Sequence, residues 1–391
     1  MSDPLPRPRS AMTLAPPPAA RVGDTLAAVA TPSLLIDLDA FDANLAAMAA
    51  FASRHGVALR PHAKAHKSSE IAKRQVAAGA VGVCCQKLSE AYPFAAAGIA
   101  SIHVSNEFVG ADKLAMAVEL ASHVRLSVCV DALPQVHALG VAAARAGVTI
   151  DVLPEVDAGQ HRCGVTSEDA LLLLVDAIAT QDALRFAGIQ AYHGGIQHVA
   201  DWSAREAEAK RAADTAGRYV HALNARGVRC GIVTGGGTGT VEFDAASGVF
   251  TELQPGSYLF MDGDYGGIGW GGDLRWRHSL FVLSTVMSAT RPGMAVCDVG
   301  LKGLAVDSGL PRSARWLDGG SGPVLTYISA NDEHGMLQAQ SDADFAELVG
   351  KRLLLPPGHC DPTVNLYDEY VCYRGERVTD IWPIDARGLS R

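Results

Sequence analysis

Arg60-Pro61-His62-Ala63-Lys64-Ala65-His66-Lys67 follows directly on the apolar run Val57-Ala58-Leu59. If that run is a strand of a parallel α/β scaffold, Lys64 stands in the loop at its carboxyl end, where such scaffolds carry reactive groups. An amine on an apolar rim loses its proton more cheaply than one in water. It can then attack an aldehyde and form a Schiff base. Most lysines are solvated surface charges, so the reading depends on other segments that answer this one.

Gly231-Ile232-Val233-Thr234-Gly235-Gly236-Gly237-Thr238-Gly239-Thr240 reads as a strand running into a loop of glycine and threonine. Without side chains in the way, backbone N–H groups can approach a phosphate closely there, with Thr hydroxyls as further donors. No Gly-Lys-Ser/Thr follows, so it is not a P-loop, and Thr240 stands where a dinucleotide fingerprint needs a third small residue. The plain alternative is a tight strand-to-helix turn. Gln254-Pro255-Gly256-Ser257-Tyr258 offers backbone, hydroxyl and phenol donors to the same phosphate.

Arg162, in Glu155-Val156-Asp157-Ala158-Gly159-Gln160-His161-Arg162-Cys163-Gly164, is a permanently charged fork. It can steer a pyridine nitrogen, a phosphate or a carboxylate, or simply pair with Glu155 or Asp157. Tyr192 and His193 end another apolar run; the phenol can bond a cofactor ring and the imidazole can shuttle a proton. In Pro357-Gly358-His359-Cys360-Asp361-Pro362, an extended backbone would put His359 and Asp361 on one face with Cys360 turned away. One imidazole and one carboxylate suit Mg²⁺, Mn²⁺ or Co²⁺; Zn²⁺ is less favoured, since a His-x-Cys pair would lean that way.

The elements that must position these groups are legible as an alternation. Short apolar runs at Val57–Leu59, Ala80–Cys85, Ser101–Ser105, Arg125–Val130, Thr149–Val156, Leu184–His193, Val228–Thr234 and Phe250–Leu253 are separated by helical patterns such as Ser69–Ala78, Leu88–Ala97, Leu133–Ala146, Glu168–Thr180 and Ser203–Arg226. Eight strands alternating with helices predict a closed (β/α)8 barrel, with an open doubly wound sheet as the alternative. Ahead of it, Ser33–Asp37 reads as a strand and Asp39 as the cap of a helix that Gly56 ends. After Gly272, strand-like pieces at Leu280–Met287, Met294–Val299, Val324–Ala330, Arg352–Leu355, Tyr370–Tyr373 and Val378–Trp382 predict an all-β domain. The division expected is 1–23 a flexible Pro/Ala-rich tail, 24–272 the barrel, and 273–391 the β domain with the metal site.

Bulk properties narrow the class. Of 391 residues, 48% are hydrophobic and 19% charged, which describes a well-packed globular chain. A net charge of −9 without a long basic run argues against nucleic acid as a partner. No stretch is long and charge-free enough to span a membrane. Eight cysteines without a C-x-x-C pair fit free thiols in a reducing, cytoplasmic setting better than a disulfide frame.

Together the segments R-P-H-A-K-A-H-K, H-R-C-G-V, Q-A-Y-H-G, T-G-G-G-T-G-T, Q-P-G-S-Y and G-H-C-D-P-T-V-N resemble one family. It is the pyridoxal 5′-phosphate (PLP) enzymes with an alanine-racemase-type barrel, which includes D-threonine aldolase, 3-hydroxy-D-aspartate aldolase and metal-activated D-serine dehydratase. The match runs from about Thr31 to about Asp385. The resemblance implies that Lys64 is the Schiff-base lysine. It implies that Gly236, Gly237, Thr238, Ser257 and Tyr258 hold the phosphate, and that Arg162 and Tyr192 lie along the ring. His359 and Asp361 would bind a divalent metal near the substrate's β-hydroxyl, with His193 or a hydroxide on the metal as the base.

It further implies a β domain that includes Ser33–Asp37, and a homodimer. No counterpart of the racemases' tyrosine base is identifiable, which argues against racemisation. His-x-Asp in place of His-x-Cys favours the aldolase branch: a D-3-hydroxy amino acid cleaved to glycine and an aldehyde. Two rivals stand beside it. One is a dehydratase on the same site, acting on D-serine or 3-hydroxyaspartate; the other is a non-catalytic PLP carrier. His66 and His334 are left as either proton shuttles or core hydrogen-bonders.

Overall fold

The structure is a computed structural model and describes residues 15–312, 314–319, 322–339 and 346–391. The expected flexible tail, 1–23, lies outside the described residues as far as 14. Its end differs from expectation, because it is tied down. Ala30 donates to the Ala19 carbonyl and Gly23 to the Val378 carbonyl, both at 2.8 Å, and Ala20 is buried against a sheet.

β1 (Ser33–Asp37) leads into the helix Leu38–His55. Asp37, rather than the expected Asp39, caps that helix: its carboxylate accepts from the N–H groups of Asp39 and Ala40. Asp39 is already inside the first turn. Gly56 ends the helix at φ 65°, the left-handed conformation that glycine adopts without strain.

The barrel follows as β2 (Ala58–Leu59), β3 (Val83–Cys85), β4 (Ser101–Val104), β5 (Arg125–Val130), β6 (Ile150–Asp157), β7 (Leu184–Phe186), β8 (Gly188–Tyr192), β9 (Ile232–Gly235) and β10 (Glu252–Leu253). All pair in parallel, in the order β2-β10-β9-β8-β6-β5-β4-β3. The two ends of that row meet: Val81 donates to the Leu59 carbonyl and Cys84 to the Pro61 carbonyl, both at 2.8 Å, and His62 bridges Cys84. Eight strand positions therefore curl into a closed parallel barrel. The sixth is broken at Ala187, so that β7 pairs with the first half of β6 and β8 with the second. Helix Ala111–Ala121 fills the connection between β4 and β5, where the sequence reading names none.

The barrel's interior is polar where the strands converge. Arg60 pairs with Glu252 at 2.9 Å and donates to Ser101 Oγ at 3.0 Å. Thr234 donates to Glu252, and Gln254 donates to Gln190 and Thr234, all at 2.8 Å. Burial pushes the Glu252 carboxyl up, but Arg60 outweighs it and holds the group below its ordinary pKa. A network satisfied at each step lets these groups stay dry at little net cost.

The second body contains β11 (Leu280–Arg291), β12 (Met294–Cys297), β13 (Arg315–Trp316), β14 (Leu325–Ala330), β15 (Gly335–Ala339), β16 (Arg352–Leu355), β17 (Glu369–Arg374) and β18 (Arg377–Pro383). Its order is β14-β15-β12-β11-β1-β17-β18, with β16 on β11 and β13 on β16. Pairing is antiparallel except that β1 runs parallel to β17. β1 is thus an interior strand of this sheet. Leu34 and Ile36 face the main core, while Leu35 faces a second cluster with Phe281 and Val371. No helix among the described residues is long and apolar enough to cross a membrane, and the eight cysteines are free thiols.

Candidate active site

A cavity with about 740 Å³ of empty space, its open mouth included, lies at the carboxyl ends of the barrel strands. Both bodies line it. From the barrel come Lys64, Arg162, Tyr192, Gly236, Gly237, Thr238 and Ser257; from the β body come His359 and Asp361.

Lys64 sits in a single 3-10 turn, Ala63–Ala65, just beyond β2. Its Nζ is 3.6 Å from Asp361 Oδ2. Burial pulls the ammonium pKa down, but the Asp361 carboxylate, with lesser help from Tyr192, more than offsets it, and the group stands above its ordinary value. His62 braces the turn. Its Nδ1 accepts the Lys64 N–H at 3.4 Å, which leaves Nε2 to donate to Ser105 Oγ at 3.0 Å. Burial, then the nearby Lys64 charge, keeps His62 neutral. His66 is a core hydrogen-bonder: fully buried, it accepts from Ser68 N–H and meets Gln75 Oε1 at 3.2 Å, and burial lowers its pKa to about 3. His334 is exposed.

Arg162 stands beside Glu155, one of the partners open in the sequence, and over the Tyr192 ring. Its guanidinium carbon lies 5.5 Å from the Tyr192 ring centre, and Nη2 is 3.9 Å from Glu155 Oε1. Glu155 is 3% exposed. Burial and the neighbouring Glu107 carboxylate raise its pKa well above the carboxylate range, against the pull of Arg162. The ligand atoms of Glu107, Asp131 and Cys163 fall within 4.8 Å of one another close by. That crowding of acids adds to burial in pushing the Glu155 carboxyl up.

Gly236 turns the chain out of β9 at φ 68°, and a Cβ there would stand 2.3 Å from Asp244 Oδ2. Only glycine fits on both counts. Thr238 Oγ1 accepts the Tyr258 N–H at 3.1 Å and so ties this loop to the turn after β10. The N–H groups of Thr238, Gly256 and Ser257 find no acceptor among the described residues. Tyr258 departs from expectation. Its ring is buried outside the cavity, its hydroxyl meets Gln75 Nε2 at 3.2 Å, and its N–H is taken by Thr238, so its phenol is turned away from the phosphate loop.

His193 also departs from expectation. Tyr192 faces the cavity, so the next residue along the strand faces away. The His193 ring packs over Gly159 and Gly195, off the cavity wall. Besides His62 and His359, the cavity is lined by a third imidazole, His198, whose Nδ1 is 2.9 Å from Asp264 Oδ2 and whose ring centre is 5.2 Å from that of Tyr265. Gln190, Gln254, Gln86, Ser105 and Tyr265 line it too. Sequence could have offered Gln190, two positions before Tyr192 and hence on the same strand face. For His198 and Tyr265, which stand on loops, there was no periodic signal.

His359 and Asp361 do converge, though on the first turn of a short helix, Cys360–Val364, rather than on an extended segment. Cys360 is fully buried, and its N–H donates to Asp262 Oδ2 at 2.9 Å. His359 Nδ1 is held by Asp307 at 2.6 Å, which leaves Nε2 free. A carboxylate fixing the far nitrogen is the usual support of a metal-ligating imidazole, and two protein ligands with water-filled remaining positions suit a hard divalent cation. The cavity also fits PLP: an amine on one wall, an N–H-rich loop on another, and an arginine over a phenol between them.

The alanine racemase N-terminal domain model matches residues 36–264, and a putative serine dehydratase domain model matches 279–373. The chain belongs to the alanine racemase-like family of PLP enzymes. A D-threonine aldolase from Arthrobacter sp. is 51% identical over 97% of this chain and 98% of its own. A 3-hydroxy-D-aspartate aldolase from Paracoccus denitrificans (strain Pd 1222) is 41% identical over 92% of each. The crystal structure of D-threonine aldolase from Filomicrobium marinum superposes with a TM-score of 0.90 at 46% identity, covering 95% of this chain and 99% of that one.

Proposed function

We propose that the chain is a PLP- and divalent-metal-dependent aldolase that cleaves D-3-hydroxy amino acids to glycine and an aldehyde. The observation that carries the reading is the approach of Lys64 and Asp361 to 3.6 Å, which joins the barrel's amine to the His359–Asp361 pair of the β body in one cavity. The similarity to two D-3-hydroxy amino acid aldolases over nearly the whole chain supports it.

Lys64 would hold the cofactor's aldehyde, the Gly236–Thr238 loop with Ser257 its phosphate, and Arg162 and Tyr192 its ring. His359 and Asp361 would hold the cation. When bound, PLP supplies a sink for the electron pair left at Cα and the cation lowers the pKa of the β-hydroxyl. The protein's part is orientation and proton handling. His198, beside Asp264 on the cavity wall, would take the β-hydroxyl proton as the Cα–Cβ bond breaks. Neutral His62 keeps the Lys64 turn in place without adding positive charge beside the amine. We expect the working form to be a homodimer.

Incubation with D-threonine tests the reading: glycine and acetaldehyde are expected, in equal amounts. Ammonia and 2-oxobutyrate as the main products would replace it with the dehydratase reading, which the match to a serine dehydratase domain keeps in play. Lys64→Ala is expected to abolish both cleavage and covalent cofactor attachment.

A further inference from the structure

Three segments wall one side of the cavity. They are the phosphate loop Gly236–Thr240, the turn Gly194–Ala200 that carries His198, and the linker 262–272 that carries Asp264 and Tyr265. Arg205, near the start of the helix Trp202–Ala225, touches all three. It is 0% exposed. Nε donates to the Gly239 carbonyl at 2.8 Å and Nη2 to the Gly269 carbonyl at 2.5 Å. Nη1 donates to the Val199 carbonyl and, at 3.5 Å, to that of Ala200. The rings of Trp202 and Trp270 stand 5.2 and 5.6 Å from the guanidinium carbon. Gln197 reinforces the same junction: Oε1 accepts the Gly239 N–H at 3.0 Å and Nε2 donates to Thr240 Oγ1 at 2.9 Å.

A buried cation normally rests on a carboxylate, because leaving water costs several kcal/mol. Among the described residues the hydrogen bonds of Arg205 all go to backbone carbonyls, none to a carboxylate. The nearby Asp201 caps the helix through Ala204 N–H, and Glu242 accepts from Asp273 and Leu274. The guanidinium is held by backbone carbonyls and aromatic faces alone. Its planar, rigid fork is what allows one side chain to bind three separate loops, and a lysine cannot repeat it.

We propose that Arg205 is a positioning residue that locks the phosphate loop to the His198 turn, so that cofactor retention and proton acceptance form one mechanical unit. The role of His198 rests on the aldolase reading; the grip on the phosphate loop does not.

The test compares wild type, Arg205→Lys, Arg205→Met and Gln197→Met as full-length protein. It measures PLP affinity by titrating visible absorbance, the pH profile of D-threonine cleavage, and folding by circular dichroism. Losing charged hydrogen bonds to the loop is expected to weaken PLP about tenfold in Arg205→Lys, and less in Gln197→Met. In both, kcat should fall more than KM changes as the His198 turn loses its register with the phosphate loop, and the pH profile of kcat/KM should shift. Unchanged PLP affinity in Arg205→Lys, or weaker PLP with kcat at saturating PLP and its pH profile unaltered, overturns the proposal. If Arg205→Met fails to fold, the other two variants decide. If wild type cleaves no D-3-hydroxy amino acid, the aldolase reading falls, while the PLP titration still decides the grip on the loop.

Discussion

His198 lines the cavity with its Nδ1 2.9 Å from Asp264 Oδ2, and it is the proton acceptor of the proposed cleavage. Removing the acceptor should cost about 100-fold or more in kcat, within the usual range for a general base. His198→Asn is expected to show that loss in an initial-rate assay while His193→Asn stays near wild type. The reverse ranking would return the proton step to His193. A second expectation concerns His359. Burial lowers its pKa, but Asp361 and then Asp307 outweigh burial and hold it above the ordinary value. A cation must displace that proton, so the apparent affinity for Mn²⁺ should rise with pH and fall as pH drops through the raised pKa. Asp307→Asn should weaken Mn²⁺ activation about 10- to 100-fold at neutral pH, since the imidazole loses its orienting carboxylate. It should also move the pH midpoint of activation lower. Residue identity was legible in sequence where a motif sat on a strand end or a glycine loop, as for Lys64, Tyr192 and Gly236. Facing was harder to read: Tyr192, the last residue of β8, faces the cavity, and His193, one step beyond the strand, does not.

At the scale of elements, the barrel strands were readable because each buried run is short, apolar and bounded by turn residues. The break at Ala187 was not, since Leu184–His193 is continuous in hydropathy and the split comes from pairing with two halves of β6. β13 and β15 were missed for a related reason. Arg315–Trp316 is too short to show alternation, and Gly335–Ala339 begins on a turn glycine. The polar pair inside the barrel carries its own prediction. Arg60→Met leaves Glu252 buried without its cation, which should cost about 3–5 kcal/mol in denaturant unfolding. Glu252 is held below its ordinary pKa, so its stabilising contribution is present above the unfolded-state pKa and fades as pH falls through the folded value. The deficit of Arg60→Met should therefore narrow in acid.

For the molecule as a whole, the two expected groups sit on different walls. Lys64 and the Gly236–Thr238 loop belong to the barrel, and His359 and Asp361 to the β body. A chelator should therefore abolish cleavage while the visible cofactor absorbance persists, and Mn²⁺ or Mg²⁺ should restore the rate. Loss of the cofactor along with the metal would show that the two sites are not separable.

β1 has a consequence for how the chain is made. Its five residues emerge early in synthesis, yet their hydrogen-bonding neighbours on either side, β11 and β17, come from the far end. Until those arrive, Leu34, Leu35 and Ile36 have no lasting cover, and an uncovered apolar strand invites pairing with another chain. A fragment ending at residue 272 should accordingly collect in the pellet when expressed alone, and deleting 33–37 should unravel a sheet built almost wholly from residues more than two hundred positions downstream.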